Sequence, residues 1–247
     1  VEEGYPAYLA SRLAAFYERA GFVETFSGQS GSVTLIGAVS PPGGDFSEPV
    51  TSHTKEISRT FWALSKPLAD ARHYPAVSWT DSFSDYDSRA KSWWTENVDP
   101  AWSSHRKQTL KLLTQADELE RIVNLVGPEA LSSAQRWVLE SASIIKEALL
   151  QQSALDPVDS YCSPEKQFHM MDLVLRFHQA GQELIGLGVP VEQLAQMPES
   201  SKIRRIKSVF GNEQIDELNR FAEEVFEHLD CMRAEYSGTK EKTHEAD

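Results

Sequence analysis

Long amphipathic runs with no strand pattern fill the second part of the sequence, and they constrain the fold more than any other feature. Residues 109–126, TLKLLTQADELERIVNLV, repeat apolar side chains at helical spacing: Leu112, Leu113, Ala116, Leu119, Val123 and Val126. Gly127 and Pro128 follow as a stop signal. Similar runs lie at 132–151, 164–186, 190–196 and 212–235. We predict an all-α domain over residues 101–247, with a frayed polar tail from about residue 237.

The first hundred residues alternate between short helical and short apolar patterns. Residues 32–40, SVTLIGAVS, are β-branched and nearly all apolar, as in a strand covered on both faces. Helix-like runs precede and follow this segment, and short apolar runs recur at FWAL and YPAVSW. This order is typical of an α/β domain with a parallel sheet, here predicted for residues 1–100. The boundary is expected near Asp99–Pro100.

Charge and composition exclude several classes of partner. The net charge is −13, and both parts of the chain are acidic: residues 1–100 carry 8 basic and 13 acidic side chains. Nucleic acid is therefore not an expected partner, because phosphate backbones are bound by basic excess. No apolar run is long enough to insert in a membrane and no secretion signal is present, so a cytoplasmic location is expected. Two cysteines and scattered histidines form no local metal motif.

Motifs for local catalytic sites are missing from the sequence. There is no GxxxxGK[ST], no GxSxG, no HExxH and no kinase signature. GTKEKT near the C-terminus lacks the second glycine and the strand-to-helix context of a phosphate-binding loop. We therefore expect no catalytic residue in a local motif of this chain, while a site assembled from distant residues stays open.

Five strings nevertheless carry a specific resemblance: EEGYPAYLASRLAAFYERAG, GSVTLIGAVSPPGGDFSEPVT, FWALSKPLADARHYPAVSW, LTQADELERIVNLVGPEAL and DPVDSYCSPEKQFHMMDLVLRFH. In this order, over roughly residues 2–230, the chain resembles the C-terminal portion of the catalytic A-type chain of archaeal and vacuolar-type (A/V-type) rotary ATPases. The resemblance implies the C-terminal half of a P-loop-type, parallel-sheet nucleotide-binding domain followed by an all-α helical domain. The phosphate-binding loop and the glutamate that positions water would lie before Val1.

The resemblance also implies nucleotide contacts. Tyr74 matches an aromatic that faces adenine, Phe168 lies where the helical domain supplies a second wall, and Tyr161 and Ser163 are candidates for the pocket rim. From the residues alone, Tyr74 is interpreted as a strand-edge aromatic that packs in the core. Phe168 is then a candidate core residue of a helix. ATP or ADP with Mg²⁺ is expected in the complete subunit, and no tight nucleotide binding is expected for this chain by itself.

Partner contacts follow from the same resemblance. Ser82, Phe83 and Ser84 precede Asp85, where the non-catalytic subunits carry an arginine, so a B-type subunit would supply the arginine finger in trans. The set expected to touch the central rotor shaft or a neighbouring subunit of the hetero-hexameric ring comprises Pro41, Pro42, Asp45, Asp117 and Glu118. For the last two, a solvated helix face with an Asp117–Arg121 pair is the competing interpretation.

The function implied is that of a part of an ATP-hydrolysing or ATP-synthesising subunit. Such a subunit couples ATP turnover to shaft rotation and to proton or sodium transport, and it is peripheral to the membrane through the complex. The isolated chain is expected to be inactive. The alternative is a non-catalytic, stand-alone module that binds rotary ATPase subunits; the coding sequence upstream of Val1 separates the two hypotheses.

Overall fold

A computed structural model describes residues 4–244, with side chains described for residues 4–237. The chain divides into two compact units: unit 1 comprises Val1–Ala63 and Asp81–Ser88, and unit 2 comprises Leu64–Thr80 and Arg89–Asp247. These units are defined by compactness, and the domain boundary near residue 100 stays a prediction. The expected frayed tail falls mostly on residues 238–247, which lie outside the residues whose side chains are described.

Unit 1 combines two helices with two small antiparallel sheets. Helix α1 spans Leu9–Tyr17 and α2 spans Pro49–Ile57. Strands β1 (Gly21–Glu24) and β2 (Ser30–Val33) form a hairpin in which Phe22 pairs with Ser32. Strands β3 (Thr60–Phe61) and β4 (Phe83–Ser84) form the second pair.

An α/β first region followed by a helical region is confirmed, but the strands pair differently from the expectation. Both sheets in the described residues 4–244 are two-stranded and antiparallel. The covered strand predicted for residues 32–40 is wrong in extent, since strand structure ends at Val33. A parallel strand needs a neighbour to satisfy its backbone groups, and no described strand lies beside residues 34–40.

Few side chains of unit 1 are buried. Among its described residues the buried ones are Pro49, Thr51, Thr54 and Ala63. Phe26 and Ile36, by contrast, are almost fully exposed. Unit 1 therefore presents apolar surface where a self-sufficient domain would have a core.

Unit 2 is helical, apart from an isolated bridge between Leu64 and Val77. Its long helices are α5 (Trp102–Val126), α6 (Ser133–Ile145), α7 (Pro164–Leu187) and α11 (Ile215–His244). The shorter ones are α3 (Lys66–Asp70), α4 (Asp87–Asn97, which begins in unit 1), α8 (Val191–Ala195), α9 (Pro198–Arg204) and α10 (Ile206–Val209). A π-helical turn, Lys146–Leu150, continues α6. The predicted helical domain is thus confirmed.

The core of unit 2 lies where α7 packs against α5, α6 and α11. Trp137 of α6 is fully buried against Phe177 of α7, and its Nε1 donates to the His178 carbonyl at 2.8 Å. Gly181 faces the same indole, and a methyl group at this position would overlap the ring. The glycine is therefore required for the close approach of α6 and α7.

Local sequence signals set the ends of α6 and α7. Ser132 and Gln135 form a reciprocal capping box at the start of α6. Ser163 caps α7, and Pro164 occupies its first turn, where a proline costs no hydrogen bond. Gly188, at φ 103°, ends α7 in the left-handed conformation.

Among the residues that the structure describes, no helix combines the length and apolar character needed to span a bilayer.

Candidate functional site

A groove beside Tyr74 brings together two segments of unit 2. It has a volume of about 460 Å³ and is lined by Arg72 and Tyr74, by residues 151–156, and by Asp159, Lys207 and Ser208. Tyr74 is 55% exposed and Leu155 is 95% exposed. The groove therefore offers an aromatic ring and an isolated apolar side chain to a flat ligand.

Backbone hydrogen bonds hold the two sides of the groove together. The Gln152 N–H donates to the Tyr74 carbonyl at 2.8 Å, and the Gln151 N–H donates to the Lys146 carbonyl at 2.8 Å. The first of these bonds joins the segment after the π-helical turn directly to Tyr74. Segment 151–156 is thus a fixed wall of the groove.

Asp159 and Lys207 add charged groups to the groove. Asp159 is buried, and its Oδ2 accepts from the Ser153 N–H at 2.7 Å and lies 3.9 Å from Lys207 Nζ. The Lys207 Nζ is buried and has no hydrogen-bond acceptor among the described residues. Burial lowers the pKa of Lys207, although Asp159 opposes that shift. The fully buried Lys166 fixes the position of this residue by donating to the Lys207 carbonyl at 2.7 Å.

Phe168 does not line this groove. It is 9% exposed and packs in a small cluster with Trp102, Met171 and Leu175, and its ring lies 5.3 Å from that of His105. The helical periodicity of α7 accounts for this placement, because position 168 faces the neighbouring helix. The structure therefore brings residues 151–156, rather than Phe168, to Tyr74.

Tyr161 and Ser163 also lie outside the groove lining. The Ser163 N–H donates to Asn212 Oδ1 at 2.7 Å, while the Asn212 side chain donates to the Tyr161 carbonyl at 3.2 Å. Ser163 is further engaged as the cap of α7. These two residues contact the loop before α11 and are not brought to Tyr74.

The proline–glycine loop of unit 1 has a defined conformation. Pro42–Gly44 form a 3₁₀ turn after Pro41, with both glycines at positive φ. Asp45 Oδ1 accepts from the backbone and the hydroxyl of Ser47, and these two bonds lower the pKa of Asp45. The loop is therefore held by its own side chains.

Phe46 anchors this loop from its other side. Its ring packs edge-on against Phe61 at 5.7 Å, and the ammonium of Lys55 lies over both rings. Phe61 in turn stacks on Phe83 of β4.

The two residues of α5 that were expected to touch the rotor shaft divide between a half-buried and an exposed position. Asp117 is half-buried on α5, where it accepts a hydrogen bond from Thr80, and burial raises the pKa of its carboxyl. Glu118 is exposed. Further along α5, Leu125 and Val126 are 84% and 64% exposed. This apolar end of the helix was not anticipated, because the predicted stripe placed Val126 in the core.

A larger cavity, of about 530 Å³, lies between α7 and α11. Its charged lining consists of Asp172, Glu223, Glu227 and Asp230 against Arg176, with His169 beside them. Arg176 already lies over the Phe226 ring, 4.1 Å from its centroid. The four acidic side chains would repel an anionic ligand, and the arginine is already engaged. The Tyr74 groove is therefore the better match for an anionic ligand with an aromatic base.

Within residues 4–237, no group of three or more histidine, cysteine, aspartate or glutamate side chains is arranged to hold a metal ion.

Two family models match the chain in succession. Residues 1–84 match the ATP synthase alpha/beta family, nucleotide-binding domain, and residues 91–194 match the C-terminal domain of V and A type ATP synthase. A solved structure, of an ATP synthase subunit NeqB from Nanoarcheaum equitans, is similar with a TM-score of 0.59 at 26% identity. That similarity covers 72% of this chain and 43% of NeqB.

Curated relatives match this chain over nearly the whole of its own length. A V-type ATP synthase alpha chain from Nitrosococcus oceani is 64% identical over 237 residues, which are 96% of this chain and 40% of the relative. The corresponding chain of the A-type ATP synthase from Ignicoccus hospitalis is 47% identical over 235 residues, 94% of this chain and 39% of the relative. The chain thus spans about 40% of the length of these relatives. It belongs to the family of V- and A-type ATP synthase alpha chains, and it corresponds to their C-terminal portion.

Proposed function

We propose that the chain supplies the adenine-binding groove and the shaft-facing helices of the catalytic subunit of a rotary ATPase. The observation that carries this proposal is the groove that pairs Tyr74 with Leu155. An adenine ring inserted there has an aromatic face on one side and an aliphatic side chain on the other. Aromatic stacking of this kind contributes about 1–3 kcal/mol and tolerates any base.

Lys207 has a structural role in this proposal. We propose that its buried ammonium, 3.9 Å from Asp159 Oδ2, helps to hold the groove wall in place and does not contact the base. In this proposal residues 151–155, and not Phe168, form the second wall of the adenine site. Phe168 instead packs between α7 and α5, beside Trp102.

The phosphate end of the nucleotide has no counterpart in these residues. No P-loop sequence is present, and Asp85, which follows β4, cannot stabilise phosphoryl charge as an arginine does. We propose that the groups contacting the β- and γ-phosphates, including an arginine from a B-type subunit, come from outside residues 1–247. ATP turnover then needs the assembled hetero-hexameric ring, and the isolated chain is inactive.

Contact with the rotor shaft is proposed for the exposed end of α5. Ile122, Leu125 and Val126 form an apolar surface beside the exposed Glu118. Asp117 is assigned a supporting role, because its carboxyl is half-buried and bonded to Thr80. The loop with Pro41, Pro42 and Asp45 is proposed to face the shaft or a neighbouring subunit.

The exposed apolar surface of unit 1 fits a role within a larger assembly. Phe22, Phe26 and Ile36 are proposed to pack against the remainder of a nucleotide-binding domain. The complex would place the chain at the periphery of the membrane. The same surface keeps the alternative open, in which the chain binds rotary subunits as an interaction module without taking part in catalysis.

The proposal is tested by Tyr74 variants in the assembled ATPase. Tyr74→Ala is expected to raise the KM for ATP about tenfold with little change in kcat, because stacking stabilises the ground state and the transition state alike. Tyr74→Phe keeps the ring and is expected to behave like the wild type. Tyr161→Ala removes an exposed tyrosine outside the groove and serves as the control. An unchanged KM in Tyr74→Ala would refute the adenine role.

A further inference from the structure

Lys146 occupies a junction between α5 and the groove. It is the first residue of the π-helical turn, and its carbonyl accepts the Gln151 N–H at 2.8 Å. Its ammonium donates to Glu120 Oε1 of α5 at 2.8 Å. The backbone of this residue thus holds the first residue of one groove wall, while its side chain holds α5.

The same ammonium also contacts Trp79, which is connected to the other wall through His73. Lys146 Nζ lies 5.2 Å from the centroid of the Trp79 ring, within the range of a cation–π contact. Trp79 packs edge-on against His73 at 5.8 Å, and His73 directly precedes Tyr74. The two walls are joined to each other where the Tyr74 carbonyl accepts a hydrogen bond from the Gln152 N–H.

The charge of Lys146 affects the pKa of a residue on α5 and of a residue beside Tyr74. On α5 the positive charge of Lys146 opposes the upward shift that burial gives to the pKa of Asp117. Beside Tyr74, burial lowers the pKa of His73, and the charges of Lys207 and Lys146 add to that shift. The Lys146 side chain is only 21% exposed, so these interactions are screened less than those of a surface lysine.

We propose that Lys146 is a positioning residue that couples the position of α5 to both walls of the Tyr74 groove. The biological meaning of this coupling rests on the proposed function, in which α5 faces the shaft and the groove takes adenine. A displacement of α5 that weakens the Glu120–Lys146 pair loosens Gln151 and Trp79 together. Because coupling between two sites is reciprocal, a ligand in the groove favours the position of α5 in which the pair is intact.

Amide hydrogen exchange on the 247-residue chain tests this coupling without any nucleotide. Lys146→Met keeps the aliphatic packing but removes the charge, and Glu120→Gln removes the partner on α5. Each is expected to speed exchange at the Gln151 and Gln152 amides about two- to fivefold, the range for a partly exposed ion pair. The double variant is expected to show no further increase. Lys146→Arg keeps the positive charge and is expected to keep the exchange of both amides as slow as in the wild type.

Arg136→Met is the matched control, since it removes an ion pair at 2.7 Å between α6 and Glu192 of α8, and neither residue lines the groove. It should leave both amides unchanged. Unchanged exchange in Glu120→Gln, or additive increases in the double variant, would overturn the coupling. Failure of the Tyr74 variants to alter the KM for ATP would instead refute the adenine role, and it would leave the exchange result intact.

Discussion

An Arg204→Met variant is expected to lose about 2–4 kcal/mol of unfolding free energy. Arg204 of α9 donates to Glu140 and Ser143 of α6 and to Glu147 of the π-helical turn. Its side chain is 20% exposed and that of Glu140 is 25% exposed. Removing the guanidinium leaves two carboxylates close together, and that of Glu140 is mostly shielded from water. The partial exposure of Glu147, at 44%, places the expected loss below that of a fully buried pair.

Denaturant unfolding of two further variants tests this account of Arg204. Arg136→Met removes an arginine of α6 whose ion pair is exposed, and it is expected to cost less than about 1 kcal/mol. Arg204→Met combined with Glu140→Gln and Glu147→Gln should recover most of the lost stability, because no unpaired charge remains. Equal costs for Arg204→Met and Arg136→Met would contradict the stabilising role of the partly buried group of Arg204, Glu140 and Glu147.

The stability of the chain is expected to fall in acid because of His178. Burial lowers the pKa of His178 to about 4 from an ordinary value of 6.5. Its Nδ1 is bonded to the Ser141 hydroxyl at 2.7 Å, and Ser141 is itself buried. The unfolded state therefore binds a proton near pH 6.5 that the folded state does not bind until about pH 4.

The sign of the linkage follows from this order of the two pKa values. The stabilising contribution is complete above pH 6.5 and is lost as the pH falls toward 4, by up to about 3 kcal/mol. His178→Gln should flatten the dependence of unfolding free energy on pH between 4 and 6.5. Urea unfolding at half-unit pH intervals measures both slopes, and identical slopes in the two proteins would refute the assignment. His73, whose pKa is also lowered by burial, remains in both proteins and cancels in the comparison.

The long helices could be predicted from the sequence because their signals are local. The run at 164–186 became α7, Pro164–Leu187, with a serine cap before it and a glycine after it. The short helices α9 and α10 have too few turns to show a period. The strand expected at 32–40 failed for a different reason: its apolar composition is typical of a strand, but a strand also needs a partner that the described residues do not provide.

The groove could be predicted only in part. Tyr74 was identified through the family resemblance, and the structure places it on the groove. Phe168 belongs to the helical period of α7, so its packing in the core was the simpler interpretation of the pattern. Leu155 gave a weak signal, as a single apolar residue in the polar segment before Asp156 and Pro157. The bonds from Gln151 to Lys146 and from Gln152 to Tyr74, which join this segment to the groove, depend on tertiary structure that no local pattern encodes.

We propose above that this chain holds the base of a nucleotide and none of its phosphates. NMR titration of the 247-residue chain with ATP, ADP and adenosine tests it most directly. The three ligands should bind equally weakly, with a Kd above ~1 mM, because stacking alone provides the affinity. Amide shifts should centre on Tyr74 and residues 151–156 and vanish in Tyr74→Ala. Micromolar binding of ATP that adenosine does not share, or shifts centred elsewhere in the chain, would contradict the account.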